Sequence, residues 1–227
     1  ARVRRRGRFA DRRLVVFDCD GVLVDSETIA LDVLAGWIEA HGVSVDRDDL
    51  LRRSIGRSAT QVHDELRAVW GVTVTAADAE ELQDRLFERF RRELEPLPGI
   101  RRLLARLTVP RCVASSSAPR RLRLALATTG LLDEFEGRIF SATQVERGKP
   151  APDLFLHAAR AMGVDPRDCL VIEDSPAGIE AARRAGMAVI GFTGGGHVRS
   201  AHVRAAIAAA APDAICESFD EIVSLLE

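Results

Sequence analysis

Two aspartates one residue apart, Asp18 and Asp20, close an apolar run near the start of the chain. Ser115 closes a second such run, and the acidic pair Glu173-Asp174 closes a third. Lys149 stands in a Gly-Lys-Pro loop and is the single lysine among 32 cationic residues, in a chain that otherwise uses arginine. Carboxylates gathered at one place repel unless a hard cation sits between them, and an all-oxygen ligand set points to Mg²⁺ before zinc. With an ammonium and a hydroxyl beside them, such groups suit phosphoryl transfer, which relies on positioning and on neutralising phosphoryl oxygens. An aspartate in the cluster is also a candidate nucleophile. Lysine is a compact point charge that fits a tight site where the arginine fork does not.

For these residues to meet, the segments carrying them must end at one edge of a common scaffold. Leu14-Val-Val-Phe17, Arg111-Cys-Val-Ala114, Cys169-Leu-Val-Ile172, Met187-Ala-Val-Ile190 and Asp213-Ala-Ile-Cys216 are short apolar runs, and Arg138-Ile-Phe140 is a further strand candidate. Helical segments alternate with them, expected over 119–128, 152–162 and 176–185, the last opened by Pro176. Strand alternating with helix at this spacing predicts an α/β fold: a Rossmann-like, doubly wound parallel sheet, whose ligands bind at the carboxyl edge. Between about Glu27 and Glu95 the pattern is helical throughout, with apolar stripes at Ile29, Val33, Leu34, Trp37 and Ile38 and at Leu82, Leu86, Phe87 and Phe90. The expected division is an arginine-rich extension over 1–11, a core domain over 12–24 and 97–227, and an inserted helical cap domain over 25–96.

At 227 residues, 47% apolar and with a formal net charge of −2, the chain has material for a substantial core and no net field to draw nucleic acid. No apolar run reaches bilayer length, so no membrane partner is expected and the compartment expected is the cytoplasm. Cys19, Cys112, Cys169 and Cys216 show no metal-site spacing and read as reduced core thiols. Arg2, Arg4, Arg5, Arg6 and Arg8 read as a solvated terminal extension in preference to a nucleic-acid arm. The five histidines show no ligand spacing, and the stretch from His197 to His202 reads as a solvated helix start. Gly194-Gly195-Gly196 reads as a flexible loop in preference to a phosphate cradle. Taken alone, Asp18 and Asp20 are equally read as turn residues, and Ser115 as a helix cap, with Ser116 its rival for any catalytic use.

Asp18-Cys-Asp-Gly-Val-Leu-Val-Asp-Ser-Glu27, the Ser115 turn, Gly148-Lys-Pro-Ala-Pro-Asp153 and Val171-Ile-Glu-Asp-Ser-Pro-Ala-Gly-Ile179 resemble, in order, the four motifs of the haloacid dehalogenase superfamily. The likeness extends to its helical-cap subfamily of β-phosphoglucomutase and 6-phosphogluconate phosphatase type. The resemblance implies an Mg²⁺-dependent phosphatase acting on a small phosphorylated metabolite, such as a sugar phosphate or phosphogluconate-like compound, and a monomer by default. It implies that Asp18 attacks phosphorus to give an aspartyl phosphate and that Asp20 protonates the leaving oxygen, then activates water. It assigns Mg²⁺ to Asp18, the Asp20 carbonyl and Asp174, with Glu173 as an adjoining or alternate ligand, and the phosphoryl oxygens to Ser115 and Lys149. Gly21 would allow the sharp turn after the nucleophile. Ser116, Arg57 and Glu27 are candidate substrate contacts, with Ser58 and Gln61 beside Arg57. A mutase of β-phosphoglucomutase type is the alternative. It is weakened by Ala30, where such mutases carry a cap histidine, and by Gly56-Arg57-Ser58-Ala59 in place of G-x-x-R. A phosphoaspartate receiver switch fits neither the length nor the helical insertion.

Overall fold

The computed structural model describes residues 7–199 and 201–227. Six strands form one sheet: β1 (Leu14–Phe17), β2 (Arg111–Ser115), β3 (Ile139–Ser141), β4 (Cys169–Glu173), β5 (Ala188–Phe192) and β6 (Ala214–Cys216). Their order is β3-β2-β1-β4-β5-β6 and every pairing is parallel. The central strands are buried on both faces, whereas the edge strand β6 leaves Ile215 exposed. In β1, Val15 and Phe17 enter the core on one face of the sheet, while Leu14 and Val16 enter the core on the other. The same alternation recurs in β4, where Leu170 and Ile172 face one way and Cys169 and Val171 the other. A strand buried on both faces reads as a continuous apolar run, which is why no alternation shows in the sequence.

Helices cover both faces. On one side are α5 (Ile100–Arg106), α6 (Pro119–Thr128) and α10 (Phe219–Leu226); on the other are α7 (Asp153–Met162), α8 (Pro176–Arg184) and α9 (Ala201–Ala209). Proline opens α6 and α8, where its missing N–H costs no helical hydrogen bond. The remaining helices, α1 (Glu27–Ala40), α2 (Arg47–Ser54), α3 (Ala59–Trp70) and α4 (Ala76–Glu93), all lie between β1 and α5 in the chain. They enclose a third apolar cluster that includes Trp37, Ile38, Leu50, Leu66 and Leu82. Ser58 with Gln61 and Thr75 with Asp78 form capping boxes that start α3 and α4. The chain leaves and re-enters the sheet region through adjacent segments: Asp25 N–H donates to Glu95 O at 3.1 Å, and Leu97 N–H to Leu23 O at 3.0 Å.

Arg2, Arg4, Arg5 and Arg6 of the expected extension lie outside the described residues. Residues 7–11, assigned to the same solvated extension, are docked. Phe9 is buried in the core, its N–H donates to Leu225 O at 2.8 Å, and the Arg8 guanidinium donates to Asp213 O. One aromatic ring carries enough apolar area to anchor an otherwise charged segment. The four cysteines are buried and free, as expected. Burial pushes the Cys169 and Cys216 thiols up to about 11, which keeps them protonated and unreactive.

Candidate active site

Sheet register does the assembling. Phe17 pairs with Val113 on one side and Ile172 on the other, so the residues that follow each strand emerge together at the carboxyl edge. Asp18, Ser115, Glu173 and Asp174 are all buried there, at 4%, 1%, 0% and 1% exposure. Lys149, between β3 and α7, is likewise 1% exposed. Its ammonium donates to Asp18 Oδ1 at 2.9 Å, Glu173 Oε1 at 2.5 Å and the Ala114 carbonyl at 3.2 Å. An ammonium has three protons, and here each has an acceptor. Burial alone would favour the neutral amine. Asp18 and Glu173 outweigh it, so Lys149 holds its proton more tightly than an ordinary lysine.

Asp18, Glu173 and Asp174 bring one donor atom each within 4.8 Å of the others. Burial, opposed by Lys149 but reinforced by Glu173, Asp174 and Asp20, pushes Asp18 well above the usual carboxylate range. Burial and Glu173 do the same to Asp174. One ammonium therefore leaves negative charge uncompensated, and Asp174 Oδ2 is buried without a hydrogen-bond partner. A hard divalent cation meets both needs, so the residues present fit Mg²⁺. Glu173 is the most committed of the three. Its Oε2 accepts from Asp174 N at 3.0 Å, Ser175 N at 3.0 Å and Ser175 Oγ at 2.9 Å, while Oε1 accepts from Lys149. This is the structural use of Glu173: it holds the lysine and shapes the loop before α8. Gly178 is required beneath it, since a Cβ there would lie 1.8 Å from Glu173 Oε1.

Asp20 has its own set of donors. Ser26 Oγ donates at 2.6 Å and Arg121 at 2.8 Å to Oδ1, and Ser117 Oγ donates at 2.6 Å to Oδ2. Burial would raise this carboxyl, but Arg121 and these hydrogen bonds prevail, and its pKa lies below the ordinary value. Ser26 precedes α1 in the N-cap position yet makes no cap bond, because its hydroxyl is given to Asp20. None of Arg121, Ser117 and Ser26 was singled out by sequence as a site residue.

A cavity of about 350 Å³ lies between this edge and the four inserted helices. Asp18, Asp20, Glu27, Ser115, Ser116 and Arg57 all line it. Ser115 caps no helix: Ala118 precedes α6, and Ser115 Oγ accepts from Ser117 N at 3.2 Å. Ser116 Oγ donates to the Gly56 carbonyl at 3.0 Å and so ties β2 to the loop before α3. Arg57 is exposed and pairs with Glu65 at 3.1 Å. Gln61 caps α3 and also donates to the Lys149 carbonyl at 3.3 Å. Burial pushes the Glu27 carboxyl up to about 8, with Asp20 adding to the rise.

A haloacid dehalogenase-like hydrolase family model matches residues 12–186. The chain belongs to that family. Within it, the protein is 33% identical over 184 residues to the 6-phosphogluconate phosphatase of Escherichia coli, covering 81% of this chain and 83% of that one. It is 34% identical over 192 residues to the β-phosphoglucomutase of Bacillus subtilis, covering 79% and 82% respectively. Among solved structures, a haloacid dehalogenase-like protein of unknown function from Agrobacterium tumefaciens superimposes with a TM-score of 0.82 at 34% identity, over 95% of this chain and 97% of that one. The parallel α/β architecture and the hydrolase class expected from the motifs are thereby established.

One expectation fails. His197, read as part of a solvated helix start, is 4% exposed, and its Nε2 lies 2.9 Å from Asp174 Oδ2. The glycines before it are correspondingly not a loose linker: a Cβ on Gly195 would lie 2.7 Å from the imidazole, and Gly196 N–H donates to Asp25 Oδ1 at 3.3 Å. Gly195 fits closely against the ring, and Gly196 is tied to Asp25. Polar sequence around His197 hid this, because the contact joins residues on separate loops.

Proposed function

We propose that the protein is an Mg²⁺-dependent phosphatase that hydrolyses a small phosphorylated metabolite, of sugar-phosphate or phosphogluconate-like class, through an aspartyl phosphate on Asp18. The observation that carries this reading is the Asp18 carboxylate at the cavity floor, paired with buried Lys149 and adjoined by Asp20. Asp18, the Asp20 carbonyl and Asp174 would hold Mg²⁺, which when bound neutralises charge on the phosphoryl oxygens. An Asp18 oxygen attacks phosphorus and the ester oxygen departs with a proton from Asp20. Asp20 then takes a proton from water as that water attacks the acyl phosphate, releasing phosphate and regenerating Asp18. Asp20 rests as a carboxylate held by Arg121, Ser117 and Ser26, ready for the second step. Arrival of a phosphate monoester brings negative charge beside it and raises its proton affinity for the first. Ser115 serves as a phosphoryl contact from the cavity wall. Lys149 can offer a proton to a phosphoryl oxygen by releasing the Ala114 carbonyl, the longest of its three hydrogen bonds. The buried, free cysteines support a reducing, cytoplasmic setting.

A phosphosugar mutase is the second reading, favoured by the similarity to a β-phosphoglucomutase. Ala30, which lines the cavity without a polar group, weighs against it. The test is phosphate release from a panel of sugar phosphates with Mg²⁺, for the native chain and for Asp18→Asn. Sustained turnover that disappears in the variant is the expected result. Isomerisation of β-glucose 1-phosphate primed by a bisphosphate, without net phosphate release, would replace this reading with the mutase.

A further inference from the structure

Beside the acidic cluster stands a group that the phosphatase reading does not use. His197 comes from the glycine loop after β5. Its ring is buried, its Nε2 is 2.9 Å from Asp174 Oδ2, and that contact is not aligned well enough for Oδ2 or either ring nitrogen to complete a hydrogen bond. Two glycines make the approach feasible. A Cβ on Gly21 would lie 1.8 Å from Asp174 Oδ2 and 2.6 Å from His197 Cε1, and a Cβ on Gly195 would lie 2.7 Å from the same ring carbon. The turn after Asp18 and the loop after β5 thus both give up side-chain volume at the point where carboxylate and imidazole meet. A polar ring placed in a fitted, dry slot costs solvation free energy unless it finds a partner. Asp174 is the carboxylate in direct contact with it, and Glu27 and Asp25 act on the ring from farther off.

We infer that His197 is a positioning residue for the cation site: its buried ring, fitted against Gly21 and Gly195 with Nε2 2.9 Å from Oδ2, confines the Asp174 carboxylate so that Asp174 is already set to receive Mg²⁺. This rests on the metal site proposed above. Outer partners of carboxylate ligands typically alter metal affinity about 10–100-fold when removed. Glu173 cannot serve in this role, since both its oxygens are already committed to Lys149 and the α8 loop.

The test is calorimetric titration of the substrate-free, full-length protein with Mg²⁺, read as Kd, with thermal unfolding in EDTA to confirm folding. His197→Ala is expected to weaken binding about 10–100-fold while Asp174→Asn abolishes it. Gly195→Ala, which keeps the imidazole but pushes on its ring, is expected to weaken binding in the same direction. His197→Gln, which refills part of the slot beside Asp174, should recover part of the loss. A His197→Ala protein that is folded and binds Mg²⁺ within about threefold of the native Kd overturns the inference and leaves the metal site standing. Absence of Mg²⁺ binding by the native chain, or its survival in Asp174→Asn, overturns both.

Discussion

Replacing Lys149 by arginine keeps the charge and changes only its shape. Nζ touches Asp18 Oδ1 at 2.9 Å, Glu173 Oε1 at 2.5 Å and Ala114 O at 3.2 Å, and packs 5.0 Å from the centre of the Phe155 ring. Three acceptors converge on one atom, whereas a guanidinium spreads its donors over a rigid plane. With 1% exposure there is no solvent into which the longer group can extend. Overpacking of this kind costs about 1–3 kcal/mol of stability. A catalytic group displaced by roughly 1 Å costs on the order of 10²-fold in rate. Lys149→Arg should therefore lose at least about 100-fold in kcat/KM, or about 2.7 kcal/mol of transition-state stabilisation, while remaining folded with a stability loss of about 1–3 kcal/mol. Lys149→Met provides the contrast. It leaves two buried carboxylates without their cation, and removing one partner of a buried pair costs about 3–5 kcal/mol. Phosphate release and thermal unfolding of both variants, side by side, decide the matter. A Lys149→Arg enzyme with near-normal turnover would refute the reasoning and make the single lysine a matter of composition.

Arg121→Gln should raise the pKa of Asp20, because burial then acts with less opposition, and the acidic limb of the kcat profile should move to higher pH; an unmoved limb removes Arg121 from the acid–base apparatus. Glu27→Gln should flatten the pH dependence of stability. With its folded pKa raised from 4.5 to about 8, the native state keeps a proton that the unfolded chain releases, so the native protein loses stability as pH rises across that interval. The variant should exceed it by up to about 4 kcal/mol at pH 8 and converge with it below pH 4.5, as read from urea midpoints. Arg57→Ala should raise KM for an anionic substrate more than it lowers kcat, and an unchanged KM would exclude Arg57 from substrate contact.

Much of the scaffold was legible because the governing physics is local. Runs such as Leu14–Phe17 are apolar at every position since both sheet faces are covered, and Pro119 and Pro176 mark helix starts by their own geometry. The acidic cluster was legible because strand ends in a parallel sheet meet at one edge. Arg121 was not, since in an arginine-rich chain one more arginine on a helix carries no signal until the fold sets it 2.8 Å from Asp20. Ser26 and Ser117 were hidden for a similar reason: a hydroxyl beside a helix start reads as a cap, and here two of them serve a carboxylate. Phe9 and His197 show the limit in opposite settings. Each lies in polar or charged sequence, and each is buried by partners distant in the chain.

The two crossings between the sheet and the inserted helices sit side by side, joined by Asp25 to Glu95 and Leu23 to Leu97. The whole stretch from Glu27 to Glu93 therefore begins and ends at nearly one point, like a bead threaded onto a closed ring. Segments with neighbouring ends are those a protein can exchange with least disturbance. The proposed reacting groups Asp18, Asp20, Lys149 and Asp174 all lie outside that stretch, while Arg57 and much of the cavity roof lie within it. Substitution of one roof for another would thus alter which organic group is admitted and leave the bond-breaking apparatus in place. Its thermodynamic toll would fall on Ile29 and Phe90 and on Leu51 and Ile55, where the roof is sewn into the two core clusters flanking the sheet.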